Sequence, residues 1–174
     1  MTIVPDTKDW TWVLDAACPE CGLDTRTVAG PEVPGMVRVN AAAWRQVLAA
    51  GEATRQRPAP GVWSPLEYAC HVRDVFSLFD ARLARMLAED DPLFDNWDQD
   101  VTAEQERYRE QDPATVSGQL SKAAEAVAAS FEAVDGEQWQ RPGRRSDGAH
   151  FTVETFSRYF VHDVVHHVHD VTPG

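Results

Sequence analysis

Four of the chain's six histidines, His162, His166, His167 and His169, crowd into the stretch FSRYFVHDVVHHVHDV, Phe156 to Val171. On a helix, at about 100° per residue, His162 and His166 lie one turn apart on a single face. Two imidazoles at that spacing can chelate one divalent metal. His169 falls near the same line and stands in reserve, since it lies too far along the helix to close the site. His167 points away and reads as structural.

A third ligand must come from another helix. His71 is the only histidine on any other expected helix, at the edge of an inward-facing apolar stripe, while His150 sits in the loop before the last helix. Taken singly, His71 also fits a hydrogen-bonded core imidazole; beside a chelating pair it becomes the candidate third ligand. The expected metal set is therefore His71, His162 and His166. Three neutral imidazoles leave coordination positions open, which is the pattern of a catalytic rather than a closed zinc site.

Other side chains offer supporting chemistry, each with a plainer alternative. Asp74, one turn beyond His71, and Asp170, one turn beyond His166, could accept hydrogen bonds from imidazole N–H groups or be solvated surface carboxylates. Arg158, one turn before His162, could bind an anionic substrate group or neutralise developing charge, or simply pair with a neighbouring acid. Cys18 and Cys21 in CPECG look like half of a zinc ribbon, but no second cysteine pair follows. A redox-active pair or plain thiols in an irregular arm are the other readings. The acidic run DNWDQDVTAEQE from Asp95 lacks the glycine of a calcium-binding EF-hand loop and reads as a solvated loop.

The elements that must position these residues are helices. Residues 1–33, rich in Pro, Gly, Cys and Asp, show no period and form an irregular N-terminal arm. A first helix carries Val37, Ala41, Trp44 and Leu48 on one stripe and stops near Gly51. A second opens on Ser64 as N-cap, with Pro65 at the first helical position and Glu67 completing a capping box, and runs to about Ala88. Residues Glu89 to Gln111 form a long polar connection in which TAEQ, from Thr102, suggests a short helix. Asp112-Pro113 opens a third helix with a stripe from Val116 to Val134. A loop with turn signals at Pro142-Gly143 and Asp147-Gly148 follows, and Thr152 caps the fourth helix. No alternating strand pattern stands out, so the expected fold is an all-α four-helix bundle in one domain, residues 1–174.

His71 is early in the second helix, whereas His162 and His166 are late in the fourth, so the three meet only if those helices run antiparallel. A simple up-down-up-down bundle would make them parallel. The long connection can instead cross the bundle between the second and third helices, giving up-down-down-up order.

Composition narrows the function. A net charge of -12 argues against nucleic acid and anionic membranes as partners. No apolar run approaches the ~20 residues of a membrane span. The start MTIVPDTKDW has no signal-peptide pattern, so a soluble cytoplasmic protein is expected. Three cysteines make no disulfide framework. Apolar surface residues leave room for a homodimer without fixing an interface.

The motifs WSPLEYACHVRD, Trp63 to Asp74, and RYFVHDVVHH, Arg158 to His167, together resemble the DinB-like metalloenzyme superfamily. The resemblance covers the four helices, roughly residues 34 to 171, and leaves the CPECG arm outside. It implies a four-helix bundle with a long crossover and a divalent metal, zinc or nickel, held by three histidines or by two histidines and a glutamate. It places the ligands on His71, His162 and His166. With a histidine at 162 where the maleylpyruvate isomerase branch has glutamate, the thiol S-transferase branch is favoured. That branch implies a low-molecular-weight thiol, held as thiolate on the metal, that attacks a small electrophile in detoxification. Fourteen of the sixteen basic residues are arginine, which hints at a GC-rich genome and so at mycothiol as the thiol. The alternatives are a metal-dependent hydrolase or isomerase, and a non-catalytic metal-binding or sensor module.

Overall fold

The structure, a computed structural model, describes residue 3 and residues 9–172. Five helices carry it: α1 Val33–Leu48, α2 Pro65–Ala88, the short α3 Gln99–Gln105, α4 Pro113–Glu132 and α5 Val153–Val171. The bundle consists of α1, α2, α4 and α5, which match the four helices expected from the sequence.

Local chemistry sets the main helix starts. Ser64 Oγ accepts from the Glu67 N–H and the Glu67 carboxylate accepts from the Ser64 N–H, closing the capping box that opens α2. Asp112 caps α4 through the Thr115 N–H at 2.7 Å, with Pro113 next in the chain. Thr152 caps α5 through the Thr155 N–H. Each cap satisfies an amide left without a helical partner.

Contacts between helices give their directions. His71 lies beside His167, Phe76 beside Phe160 and Phe79 beside Phe156, so α2 and α5 are antiparallel. Arg73 bonds Gln119, each in an early part of its helix, so α2 and α4 are parallel. Arg38, early in α1, clasps Glu125 and Glu132, late in α4. The order is up-down-down-up. The core between these helices is built on Trp44, Phe76, Phe131, Phe156 and Phe160, all buried.

The connection from α2 to α4 makes the crossover. It drops Phe94 near Phe156, lays Trp97 on His71 and buries Tyr108 beside Trp63, which returns the chain to the start of α2. Its short helix begins at Asp98, whose carboxylate accepts from the Asp100 and Val101 N–H groups, and not at Thr102, whose hydroxyl bonds back to the Asp98 carbonyl. The run from Asp95 therefore caps a helix.

A small sheet is an addition to the all-helical expectation. It contains β1 Leu93–Phe94, β2 Pro142–Arg145 and β3 His150–Thr152. β1 pairs parallel to β2, and β2 pairs antiparallel to β3 with Arg144 opposite His150. Pro142-Gly143, expected as a turn, is strand. A Cβ on Gly143 would lie 2.9 Å from Met86 Cγ, so a larger residue would have to displace the Met86 side chain for this strand to lie as close to α2. No described helix is long and apolar enough to cross a membrane.

Candidate metal centre

The four residues HDVVHH bring to α5 are two overlapping pairs, each with i, i+4 spacing: His162 with His166, and Asp163 with His167. Successive residues on a helix are rotated by about 100°, so the two pairs face different neighbours. The structure turns Asp163 and His167 toward α2 and turns His162 and His166 toward the N-terminal arm.

The expected triad of His71, His162 and His166 is thereby divided. The described side chains able to share an ion form two sets, each with its ligand atoms within 4.8 Å of one another. One is His71, Asp163 and His167. The other is Cys18, Cys21, His162 and His166. His167, read from sequence as structural, belongs to the first set. His169 and His150 belong to neither and are exposed.

In the first set, His71 Nε2 stands 4.0 Å from Asp163 Oδ2, and His167 Nε2 stands 3.7 Å from Asp163 Oδ1. These spacings are too long for hydrogen bonds and suit ligands arranged around an ion. His71 is fully buried, yet neither of its ring nitrogens has a hydrogen-bond partner. A buried nitrogen left unpaired needs an explanation, and a shared ion would account for Nε2, the one that faces Asp163. Burial, then the neighbouring His167, holds His71 well below the ordinary imidazole range, so it is the neutral, ligating form.

Asp170 fixes the second imidazole. Its Oδ2 lies 3.0 Å from His167 Nδ1, and because a carboxylate only accepts, Nδ1 carries the proton; in the neutral ring this leaves the Nε2 lone pair toward Asp163. Its Oδ1 lies 3.6 Å from His166 Nε2, so one carboxylate faces an imidazole of each set. Burial works to raise the Asp170 carboxyl, but the His167 hydrogen bond and the surrounding imidazoles outweigh it, and the net shift is downward. For Asp163, burial wins and pushes the carboxyl up, with His167 pulling against it. A divalent ion beside it would favour the charged form.

Aromatic rings wall the centre. Trp97 stacks on His71 at 5.3 Å and 8°, Trp63 packs against it at 5.3 Å, and Tyr68 packs against His167 at 5.2 Å. The Asp163 side chain is 31% exposed and that of His71 only 1%, so the set opens to solvent on its α5 side.

Asp74 and Arg158 both lie away from the two ligand sets. Asp74 does not support His71; its carboxylate takes the Tyr108 hydroxyl and the Arg73 guanidinium. Arg158 donates from Nε to the Val28 carbonyl at 3.0 Å and pairs with Glu154 at 2.9 Å. Its guanidinium is thus committed to holding the arm against α5, and it lies in neither set.

In the sequence the i, i+4 spacing fits Asp163 with His167 as well as His162 with His166, and a preference for two like ligands selects the second pair. The signal available was the unsatisfied Cys18-Cys21 pair, which needed two ligands that the first histidine pair could supply.

A family model described as the DinB superfamily matches residues 38–171. That segment contains His71, Asp163 and His167 and begins after Cys18 and Cys21. Among solved structures the chain is similar to YfiT from Bacillus subtilis, described as a probable metal-dependent hydrolase with an unusual four-helix bundle topology. The identity is 16%, the TM-score 0.75, and the alignment covers 82% of this chain and 83% of that one. At that identity the likeness speaks for the fold. No curated protein matches the sequence.

Proposed function

Because the chain belongs to the DinB superfamily, we propose that it is a divalent-metal-dependent enzyme whose centre is His71, Asp163 and His167. The observation that carries this reading is the buried, unpartnered Nε2 of His71, facing a carboxylate, beside a second imidazole held by Asp170.

A divalent cation bound there would supply Lewis acidity, favouring loss of a proton from a coordinated water or thiol at neutral pH. The chain's own residues do the rest. His71 and His167 contribute neutral nitrogens, and Asp163 contributes a single negative charge, which leaves the occupied set with a net positive charge toward the substrate. Trp63, Trp97 and Tyr68 exclude water from the inner side. Substrate approaches over Asp163 and His167.

Two imidazoles and a carboxylate with an open position is a donor set of hydrolytic zinc sites, so hydrolysis of a small substrate is the reaction this geometry supports best. The hydrolase description of YfiT points the same way. A second reading is attack by a low-molecular-weight thiol such as mycothiol on a small electrophile. It is favoured by the carboxylate at Asp163, which makes the set of the two-histidine, one-carboxylate kind expected of the maleylpyruvate isomerase branch. The earlier preference for the S-transferase branch rested on an all-histidine set and loses that support.

The test is turnover of a panel of small esters, amides and electrophiles by the metal-loaded protein, with and without mycothiol, bacillithiol or glutathione. Thiol-independent turnover that stops with chelator supports hydrolysis. Turnover that appears only with a thiol moves the assignment to the second reading. Metal bound at His71 with no turnover under any condition would leave a non-catalytic metal module.

A further inference from the structure

The second set of ligating side chains joins the arm to the bundle. CPECG folds into a tight turn in which the Cys18 N–H donates to the Leu23 carbonyl and the Gly22 N–H donates to the Cys18 carbonyl, both at 2.9 Å. Gly22 has φ of +77°, a left-handed conformation that glycine adopts without strain. The Leu23 N–H points at the Cys21 sulfur. The turn therefore presents both sulfurs on one side, toward α5.

There they meet His162 and His166. Cys18 Sγ lies 3.6 Å from His166 Nδ1, against an S···N edge of about 3.5 Å expected for tetrahedral zinc with usual bond lengths. The other ring nitrogen of His166 faces Glu20 Oε2 at 3.5 Å and Asp170 Oδ1 at 3.6 Å, carboxylates placed on the side of the ring away from Cys18. His162 is only 3% exposed, and its Nε2 is buried without a hydrogen-bond partner. Trp10 lies over both imidazoles, with ring centres 5.6 and 5.0 Å away, and closes the set from outside.

We propose that Cys18, Cys21, His162 and His166 form a second metal site, closed and structural, that takes zinc and clips the N-terminal arm to α5. Two thiolates and two imidazoles fill a tetrahedron and leave no position for a substrate. Binding displaces the two thiol protons to solvent. The arm needs such a clip because the described buried apolar side chains ahead of α1 are few, namely Val13, Cys18 and Val28. The site does not depend on the reaction proposed above, and its cysteines precede the segment matched by the family.

The test is a cobalt(II) titration of the full chain, stripped of metal and kept reduced. A thiolate-to-cobalt charge-transfer band that saturates at one equivalent and is displaced by zinc is expected. Cobalt bound with no thiolate band would overturn the site, a result that needs no variant to fold. Cys18→Ser and His162→Ala should abolish the band, whereas His71→Ala should leave it; loss in His71→Ala alone would also overturn it. Cysteines that resist a thiol reagent until treated with reductant would show a Cys18–Cys21 disulfide in place of the metal. Limited proteolysis should cut the arm after zinc removal, and equal protection with and without zinc would remove the clip. Failure of the catalytic reading shows separately, in turnover.

Discussion

On one face of α5, Asp163 and His167 meet a buried imidazole from α2 inside an aromatic wall. On the neighbouring face, with the same spacing along the same helix, His162 and His166 meet two sulfurs from an irregular arm beneath Trp10. The first set is nitrogen and oxygen, three candidate ligands, and open at a half-buried carboxylate. The second is nitrogen and sulfur, four candidate ligands, and covered by Trp10. Helical spacing thus makes a ligand pair, but the element packed against the pair decides the softness of the site, its coordination number and whether substrate can reach it.

The harshest challenge to this contrast is to loosen the helix both faces share. Phe160 is fully buried against Phe76, Phe79 and Phe131. Phe160→Ala should cost about 3–5 kcal/mol in urea unfolding and weaken metal binding on both faces. A cost below about 1 kcal/mol would mean that α5 is held by its ligands more than by its core. His71→Ala should separate the faces, lowering any metal-dependent turnover by more than about 100-fold while sparing the cobalt–thiolate band. Loss of both signals would merge the two sites into one.

Asp170→Asn tests the one residue common to both. It should lower metal affinity by about 10–100-fold on each face, read by competition with a chromogenic chelator. A response confined to the His167 face would make the contact with His166 incidental.

The smallest effect concerns the start of α2, one turn before His71. The Glu67 carboxyl is buried, which alone would raise it, but the Arg57 ion pair and the Ser64 hydrogen bonds hold it below its ordinary 4.5. A depressed carboxyl stabilises the fold above that ordinary value, and the contribution disappears as pH falls through the folded value. Glu67→Gln should therefore cost about 1–3 kcal/mol at pH 7 and progressively less below pH 4.5 in urea unfolding. An equal cost at pH 7 and pH 3 would show the effect to be packing and not charge.

The bundle was legible in the sequence because its determinants are local. Ser64 with Glu67, Asp112 with Pro113, and Thr152 each announce a helix within four residues. The antiparallel course of α2 and α5 followed from requiring His71 to reach late α5, and that requirement holds although the residues it reaches are Asp163 and His167. What was not legible depends on contacts between distant segments. Strands as short as Leu93–Phe94 have no periodicity to read, and their pairing with β2 comes from the crossover. Asp98 caps α3 because its carboxylate reaches two amides, an advantage over Thr102 that only the backbone path reveals. The choice between two overlapping ligand pairs turns on a rotation of about 100°, set by how Phe156 and Phe160 seat α5 in the core.

The two oxygens of Asp170 have a consequence for how the faces would be filled. Oδ2 holds His167 and Oδ1 faces His166, so any movement of this carboxylate toward one imidazole changes its grip on the other. Linkage makes such an influence mutual: whatever factor zinc on the arm face adds to affinity at the open face, an ion at the open face must add to affinity for zinc. The arm would then act as a cooperative partner in loading the centre, felt through a single side chain.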